Sequence, residues 1–333
     1  MASVLPQLRV MVLNAENLFL LSDQELTPEH LKLDAGQWNK LSTSVFVNKP
    51  IEKARELAKI ITSESPDLVL LCEVGGLESL QNFNRLFLHD TYSPVLIEGN
   101  SNRNIDVGYL IKKNPPFYFD VISNKNRPIH FLYPHERQNN ATHSHKFSRD
   151  AVELHLFQHD RERPFLIFVL THLKSRLDPD NIDPSGSERR QAELKTLIEV
   201  YQELELKFQD QVPIVLAGDF NGNARRNEAD PEFSDLYQKT NLRDVCDLAQ
   251  LSAEDSATYY QVGKSSRPEG RQIDYCFLPP KLAPHLDPKS VTVYRYRDNM
   301  GLPLDPPTTL DAKAALPSDH YPLIFNLKDI PLR

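Results

Sequence analysis

The sequence predicts a mixed α/β protein built as a two-sheet sandwich with helices on the outer faces, and three observations carry that prediction. Apolar runs of about four to seven residues alternate with stretches of helical periodicity. Two pairs of runs, 93–97 with 106–111 and 151–158 with 164–171, read as hairpins, the second closed by a short charged connection around 161–163 that favours antiparallel neighbours. Helices therefore do not simply alternate with parallel strands, and a sandwich accommodates both kinds of connection. Three helices stand out at 51–63, 77–88 and 188–208. The last carries Leu194, Leu197, Ile198, Tyr201 and Leu204 at helical spacing on one face and charge on the other, which predicts packing against a sheet.

In chain order, the strands share a property that ordinary core strands lack: their ends carry chelating or proton-handling side chains. The run 8–13 closes on Asn14, the run 67–72 on Glu73, and the run 164–171 on His172. The stretch 212–223, Val-Pro-Ile-Val-Leu-Ala-Gly-Asp-Phe-Asn-Gly-Asn, stops at Asp219 with Asn221 two positions on. If extended geometry persisted through Phe220, these two side chains would point the same way; the alternative for this segment alone is a strand ending in an Asx turn. Asp274 lies inside the apolar run 272–278, where an unpaired carboxylate is costly, and Asp319 and His320 immediately precede a last apolar strand. Each has a structural explanation by itself, but the set does not share one.

The 333 residues can bury a large core, and with no evident linker the chain reads as one domain over 1–333, interrupted by polar insertions near 20–48, 124–148 and 298–316. Long insertions of this kind are usually functional, and two of them adjoin candidate residues. Apolar content of 40% and charged content of 25% argue against disorder, and no run reaches the length of a membrane-spanning helix. A net charge of −8 argues against passive charge-driven binding of nucleic acid or anionic lipid, but not against an enzyme that handles phosphate through a metal. Cys72, Cys246 and Cys276 are widely spaced and fit reduced core residues better than a disulfide framework. The first strand begins within about eight residues and no secretory pattern precedes it, so the visible sequence reads as cytoplasmic; an export signal removed upstream would leave the compartment open.

Collected, Asn14, Glu73, Asp219, Asn221, Asp274 and Asp319 form an oxygen-rich set suited to Mg²⁺ or Mn²⁺, accompanied by His172 and His320. Hydrolysis of a phosphate ester needs that combination: a hard cation, a group to take a proton from water, and donors aimed at the developing charge. Arg103, Arg149, Lys174, Arg176, Arg225, Arg226 and Arg271 lie close to these motifs in sequence, and guanidinium forks match phosphate oxygens, although each alone is more often a solvated surface charge. His130, His135, His143 and His145 in the second insertion lack a recognisable ligand spacing and read as loop histidines. Trp38, in the first insertion, reads as an aromatic packed back on the domain.

The motifs together resemble the endonuclease/exonuclease/phosphatase superfamily: Asn14 in Leu-Asn-Ala-Glu-Asn-Leu, Glu73 in Leu-Cys-Glu-Val, His172 in Thr-His-Leu-Lys-Ser, Gly-Asp-Phe-Asn at 218–221, Gln-Ile-Asp-Tyr at 272–275 and Ser-Asp-His-Tyr-Pro-Leu at 318–323. The resemblance spans essentially the whole chain and implies a four-layer α/β/β/α sandwich with its site at one mouth. It implies Glu73 as principal metal ligand with Asn14 beside it, Asp319 holding the metal or the adjacent His320, and one or two ions. It further implies His320 on the scissile phosphate oriented by Asp274, Asp219 positioning or deprotonating water, Asn221 donating to the phosphate, and His172 as the histidine of the deoxyribonuclease-like and sphingomyelinase-like branches. Arg149 and Asp106 match positions where the family often has an arginine and a polar strand residue facing the site, and Arg103 joins them as a phosphate contact. The expected activity is metal-dependent phosphodiester hydrolysis with nucleic acid as first-ranked substrate. A lipid or small-molecule phosphoesterase, sphingomyelinase-like or phosphatase, ranks second, and a silent binding module last. No obligate protein partner is evident.

Overall fold

The computed structural model describes residues 4–139, 144–159, 161–177, 181–263 and 267–332. Two sheets of six strands dominate it. The first contains β1 (Val4–Leu18), β2 (Leu68–Val74), β3 (Tyr92–Leu96), β4 (Asp106–Lys112), β13 (Thr292–Val293) and β14 (Leu323–Pro331) in the spatial order β13-β14-β1-β2-β4-β3. The second contains β5 (Tyr118–Ser123), β6 (Ala151–Phe157), β7 (Leu166–His172), β8 (Ile214–Asp219), β9 (Arg243–Asp244) and β12 (Asp274–Leu278) in the order β5-β6-β7-β8-β12-β9. A separate two-stranded ribbon pairs β10 (Tyr259–Gln261) with β11 (Glu269–Arg271).

Each large sheet is antiparallel except for one central parallel pair, β1–β2 in the first and β7–β8 in the second. Parallel neighbours need a crossover, and helices supply it. α1 (Ile51–Glu64) lies between β1 and β2, and α3 (Ser187–Lys207) between β7 and β8; α2 (Gly76–Phe87) follows β2. All three fall where the periodicity predicts them, as do both hairpins.

The second sheet is apolar on both faces, and period-two alternation sorts its side chains between two cores. Leu166, Phe168, Leu170, Val215, Ala217, Cys276 and Leu278 join the core shared with the first sheet. Ile167, Val169, Ile214, Leu216, Tyr275 and Phe277 join a second core with Leu194, Leu197, Ile198, Tyr201 and Leu204 of α3. On the other side, Ala54, Leu57, Ala58 and Ile61 of α1 and Leu80 and Phe83 of α2 belong to the first core. This is the α/β sandwich with helices outside that the sequence predicts. The cysteines are free and buried, and Trp38 is buried with its indole N–H donating to the Lys49 carbonyl at 2.9 Å.

The strand directions place the site. β1, β2, β7 and β8 finish at one edge of the sandwich, and the antiparallel strands β4, β6, β12 and β14 begin there. Residues at the ends of the first group and the starts of the second must therefore gather at one mouth. Hydrogen bonds from Asn14 to Asp219 and from His320 to Asp274 hold the two sheets' edges together there.

Leu197→Ala should test the α3 core directly, because Leu197 is fully buried beneath the second sheet. Urea unfolding should show a loss of about 2–5 kcal/mol, the range for leucine truncation in a packed core. A loss below about 1 kcal/mol would mean that this helix face is not packed as described.

Candidate active site

Three neighbouring strands of the second sheet present a row of polar residues: His172 of β7 is in register with Asp219 of β8, and Asp219 with Asp274 of β12. Gly218, just before this row, has φ +128°, and a Cβ there would lie 1.9 Å from the Thr171 carbonyl oxygen. Only glycine lets the two strands close up at this level. Asn14 reaches across from the first sheet, its Nδ2 donating to Asp219 Oδ2 at 2.9 Å. His320, ahead of β14, donates from Nδ1 to Asp274 Oδ2 at 2.8 Å, and its Nε2 lies 4.0 Å from Asp219 Oδ2.

Glu73 arrives by an irregularity. The pairings of β2 with both β1 and β4 shift register around it, and its φ of +61° is the left-handed conformation. Elsewhere in the chain non-glycine residues adopt it mainly in turns and at helix ends, as at Ser65; at Glu73 it falls inside a strand. The bulge turns the carboxylate into the mouth, where Oε2 accepts the Asn17 amide at 3.1 Å and Oε1 lies 4.0 Å from His172 Nε2. His172 Nε2 is also 3.6 Å from Asp219 Oδ2. Arg103 donates to Asn17 Oδ1 at 2.7 Å and comes within 4.0 Å of Glu73 Oε2.

Glu73, Asp219, Asn221, Asp319, His320, Arg103 and Tyr259 line a cleft of about 380 Å³. The charges inside it are set by burial and by one another. Burial and the neighbouring Asp274 carboxylate push Asp219 up to about 7, so it holds its proton far more tightly than an exposed aspartate. Burial opposes a charge on His320, but Asp274, through charge and hydrogen bond, with Asp319 and Asp219, overrides it and raises the imidazole well above 6.5. His172 goes the other way: burial, with the positive charges of Arg149, His320 and Arg103, lowers it well below 6.5 and keeps the ring neutral. Asp319 lies below the ordinary carboxylate range despite burial, because His320 and Lys313 favour its charge.

The donor set fits a hard divalent cation. Glu73 lines the cleft, Asn14 Oδ1 accepts a hydrogen bond from Glu16 N at 2.9 Å and retains a lone pair, and Asp274 Oδ1 is buried with no hydrogen-bond partner among the described residues. Asp219, Asp274 and His320 place ligand atoms within 4.8 Å of one another. His320 already spends Nδ1 on Asp274, so this trio is better described as an oriented imidazole beside a second carboxylate than as a closed cage.

Two sequence expectations, for Asp106 and Arg149, are revised, and the choice left open for Asn221 is decided. Asn221 does not continue the strand: its φ is +53° and its amide N–H donates to Asp219 Oδ1 at 2.8 Å, an Asx turn that still leaves the side chain at the cleft with Nδ2 donating to the Leu173 carbonyl at 3.0 Å. Asp106 does not face the cleft. It accepts the Gly99 amide at 2.7 Å and so anchors the turn that leads to Arg103. Arg149 is buried and lines a neighbouring cleft rather than the carboxylate-lined one. Asp319, placed at the mouth, also pairs with Lys313 at 3.3 Å. Of the second-insertion histidines, His145 pairs with Glu136 at 2.8 Å, and His143 lies outside the described residues.

Several participants have no separate signal in the sequence. Thr258 Oγ1 accepts the Ile273 and Asp274 amides, its carbonyl accepts Tyr321 N, and the Tyr259 ring stands 5.3 Å from the His320 ring. That segment ties Asp274 to His320 although 258–259 looks like ordinary loop. Ser318 Oγ donates to the Asn14 carbonyl at 2.8 Å and accepts His320 N at 3.1 Å, joining the two ends of the chain at the site.

No family model and no curated protein matches the sequence. Solved structures do match. A Bacteroides thetaiotaomicron endonuclease/exonuclease/phosphatase family protein aligns with 98% of this chain and 96% of its own at 16% identity and a TM-score of 0.55. The fold is the endonuclease/exonuclease/phosphatase fold. D. rerio TDP2 complexed with a single-strand DNA product shares this fold over 96% of this chain and 98% of its own, at 15% identity and a TM-score of 0.56. The B. thetaiotaomicron mannosyl-6-phosphatase shares it over the same fractions, at 15% identity and a TM-score of 0.55. At such identity the likeness establishes the fold alone, and the chemistry must be argued from the side chains.

Asp274→Asn should separate the charge of His320 from its position, since the amide oxygen can still accept the Nδ1 hydrogen bond. With the negative partner gone and burial left unopposed by it, the imidazole pKa should fall. An NMR titration of the ring protons in chelator would detect this, and an unchanged midpoint would remove Asp274 as the source of the raised value.

Proposed function

We propose that this protein is a divalent-metal-dependent phosphoesterase that hydrolyses a phosphodiester, with nucleic acid as its first-ranked substrate. The observation that carries the reading is the His320–Asp274 pair facing Asp219 across a cleft whose other wall holds Glu73 and Arg103. An imidazolium, a carboxylate that handles protons near neutral pH, and an acidic cation-binding edge are the groups that hydrolysis of a phosphate ester requires. The likeness to a structure holding a DNA product supports nucleic acid as the first substrate to test. The likeness to a mannosyl-6-phosphatase, equally extensive, supports a small phosphoester as the second.

Glu73 and Asn14, with Asp319 at the rim, would hold Mg²⁺ or Mn²⁺. Bound there, the ion would neutralise phosphoryl oxygens and stabilise the charge that develops on them. The side chains do the rest. Asp274 fixes the tautomer and tilt of His320 by accepting from Nδ1, which leaves the Nε2 hydrogen free to donate to a phosphoryl oxygen. Asp219, restrained by Asn14 and by the Asn221 amide, orients the attacking water and accepts its proton. Neutral His172 lies buried behind the cleft wall with Nε2 3.6 Å from Asp219 Oδ2, the second amide hydrogen of Asn221 adds a donor at the cleft, and Arg103 supplies a guanidinium at the rim.

The test is hydrolysis of plasmid DNA, RNA and bis-(p-nitrophenyl) phosphate with Mg²⁺, Mn²⁺ or chelator. Activity should require the metal and fall by at least about 10²-fold in His320→Ala, the order expected for loss of a general acid–base or charge-stabilising group. Glu73→Gln should lose metal-induced thermal stabilisation together with turnover. Full turnover in either variant would remove that residue from the mechanism. Cleavage of the small diester alone would favour the small-phosphoester reading.

A further inference from the structure

Beside the carboxylate-lined cleft lies a larger one of about 600 Å³, lined by Arg103, Lys146, Arg149, Lys174 and Arg189 together with serine, asparagine, His145 and two apolar side chains and, among the described residues, by no aspartate or glutamate. On a chain of net charge −8 this is a local inversion of sign. The two clefts are continuous, because Arg103, Ser175 and Leu177 line both.

Arg149 is the decisive residue. It is 5% exposed, its Nε is buried without a hydrogen-bond partner, and its NH1 donates to Ser148 Oγ at 3.1 Å. Among the described residues no carboxylate forms an ion pair with it. A guanidinium taken out of water without a direct ion-pair partner is expensive; burial works against its charge, and Glu193, Glu73 and Asp219 support it only from beyond ion-pair distance. Its surroundings are built and not incidental. The fully buried Glu193 accepts Ser148 N and Lys174 N, each at 2.7 Å, so one α3 carboxylate pins the backbone on both sides of the basic cleft. That carboxylate is consumed by backbone amides and by Arg189 Nε at 3.4 Å.

We infer that this basic cleft is a second anion subsite, which binds a phosphate group of the substrate other than the one hydrolysed. The inference rests on the phosphoesterase reading of the adjoining cleft and narrows its substrates to molecules carrying at least two phosphates, the second held by Arg149 with Lys146 at the open edge. Arg103 stands between the two phosphates. Lys174 is engaged with the Leu177 carbonyl at 2.7 Å and shapes the wall between the clefts.

Isothermal titration of the metal-loaded protein with thymidine 3′,5′-bisphosphate and with the 5′- and 3′-monophosphates tests this without requiring turnover. The bisphosphate should bind at least about tenfold more tightly than either monophosphate, the worth of one charge-assisted contact of about 1.5 kcal/mol or more. That ratio should fall to about two or less in Arg149→Met and to an intermediate value in Lys146→Ala. Arg149→Met should fold with an unchanged or raised Tm, because it removes an unpaired buried charge; Lys146 is exposed, so its variant guards against a folding defect. A wild-type ratio near one overturns the subsite, as does a ratio that survives both substitutions. Loss of metal-dependent hydrolysis with the binding ratio intact would instead refute the phosphoesterase reading and leave the anion site standing.

Discussion

The register that sets His172 beside Asp219 and Asp219 beside Asp274 is the constraint on which the site depends. A slip of one residue in either pairing would rotate a carboxylate from the mouth into an apolar core. Gly218 allows the β7–β8 approach, and the two cores on either face of the sheet penalise any slip by exposing leucine, isoleucine and phenylalanine side chains. The hydrophobic pattern thus fixes the positions of polar residues that contribute nothing to it.

The same register creates an electrostatic problem that the fold resolves locally. Asp219 and Asp274 are opposite one another and buried, and Asp219 is held near neutrality as a result. His320 enters from the other sheet as the compensating cation, and Asn14 donates to Asp219 from the same side. The site therefore exists only where the two sheets meet. Its candidate catalytic groups and its inter-sheet contacts are the same side chains, which joins integrity of the mouth to integrity of the sandwich.

Much of this was legible in the chain. The runs ending on Asn14, Glu73, His172 and Asp219 and beginning near Asp274 and His320 announced themselves as a set, because one polar strand end has an ordinary explanation and so many chelating ends together do not share one. For Asn221 the chain left two readings open, since period two predicts a shared face only while the backbone stays extended, and the structure takes the other, an aspartate side chain closing an Asx turn on the amide N–H two residues later. Arg149 and Asp106 were read into the cleft from motif position, which carries no information about the turn at Gly99 or about which of two adjoining hollows a side chain enters. Thr258, Tyr259 and Ser318 were silent because a threonine, tyrosine or serine in a loop has many ordinary explanations.

By itself the sequence determined the alternation of strands and helices, the hairpins, the α3 core face and the identity of the polar strand ends, since these follow from local periodicity and from the cost of burying charge. The motif resemblance implied one shared mouth and His320 oriented by Asp274; tertiary structure alone decided that Glu73 is turned into the mouth by a bulge, that the Asp274–His320 hydrogen bond closes at 2.8 Å across 46 positions, and that Arg149, with no ion pair among the described residues, lies in a basic hollow next door. Those are distances between residues far apart in the chain. They are set by sheet register and by the packing of one sheet on the other, which no local pattern encodes.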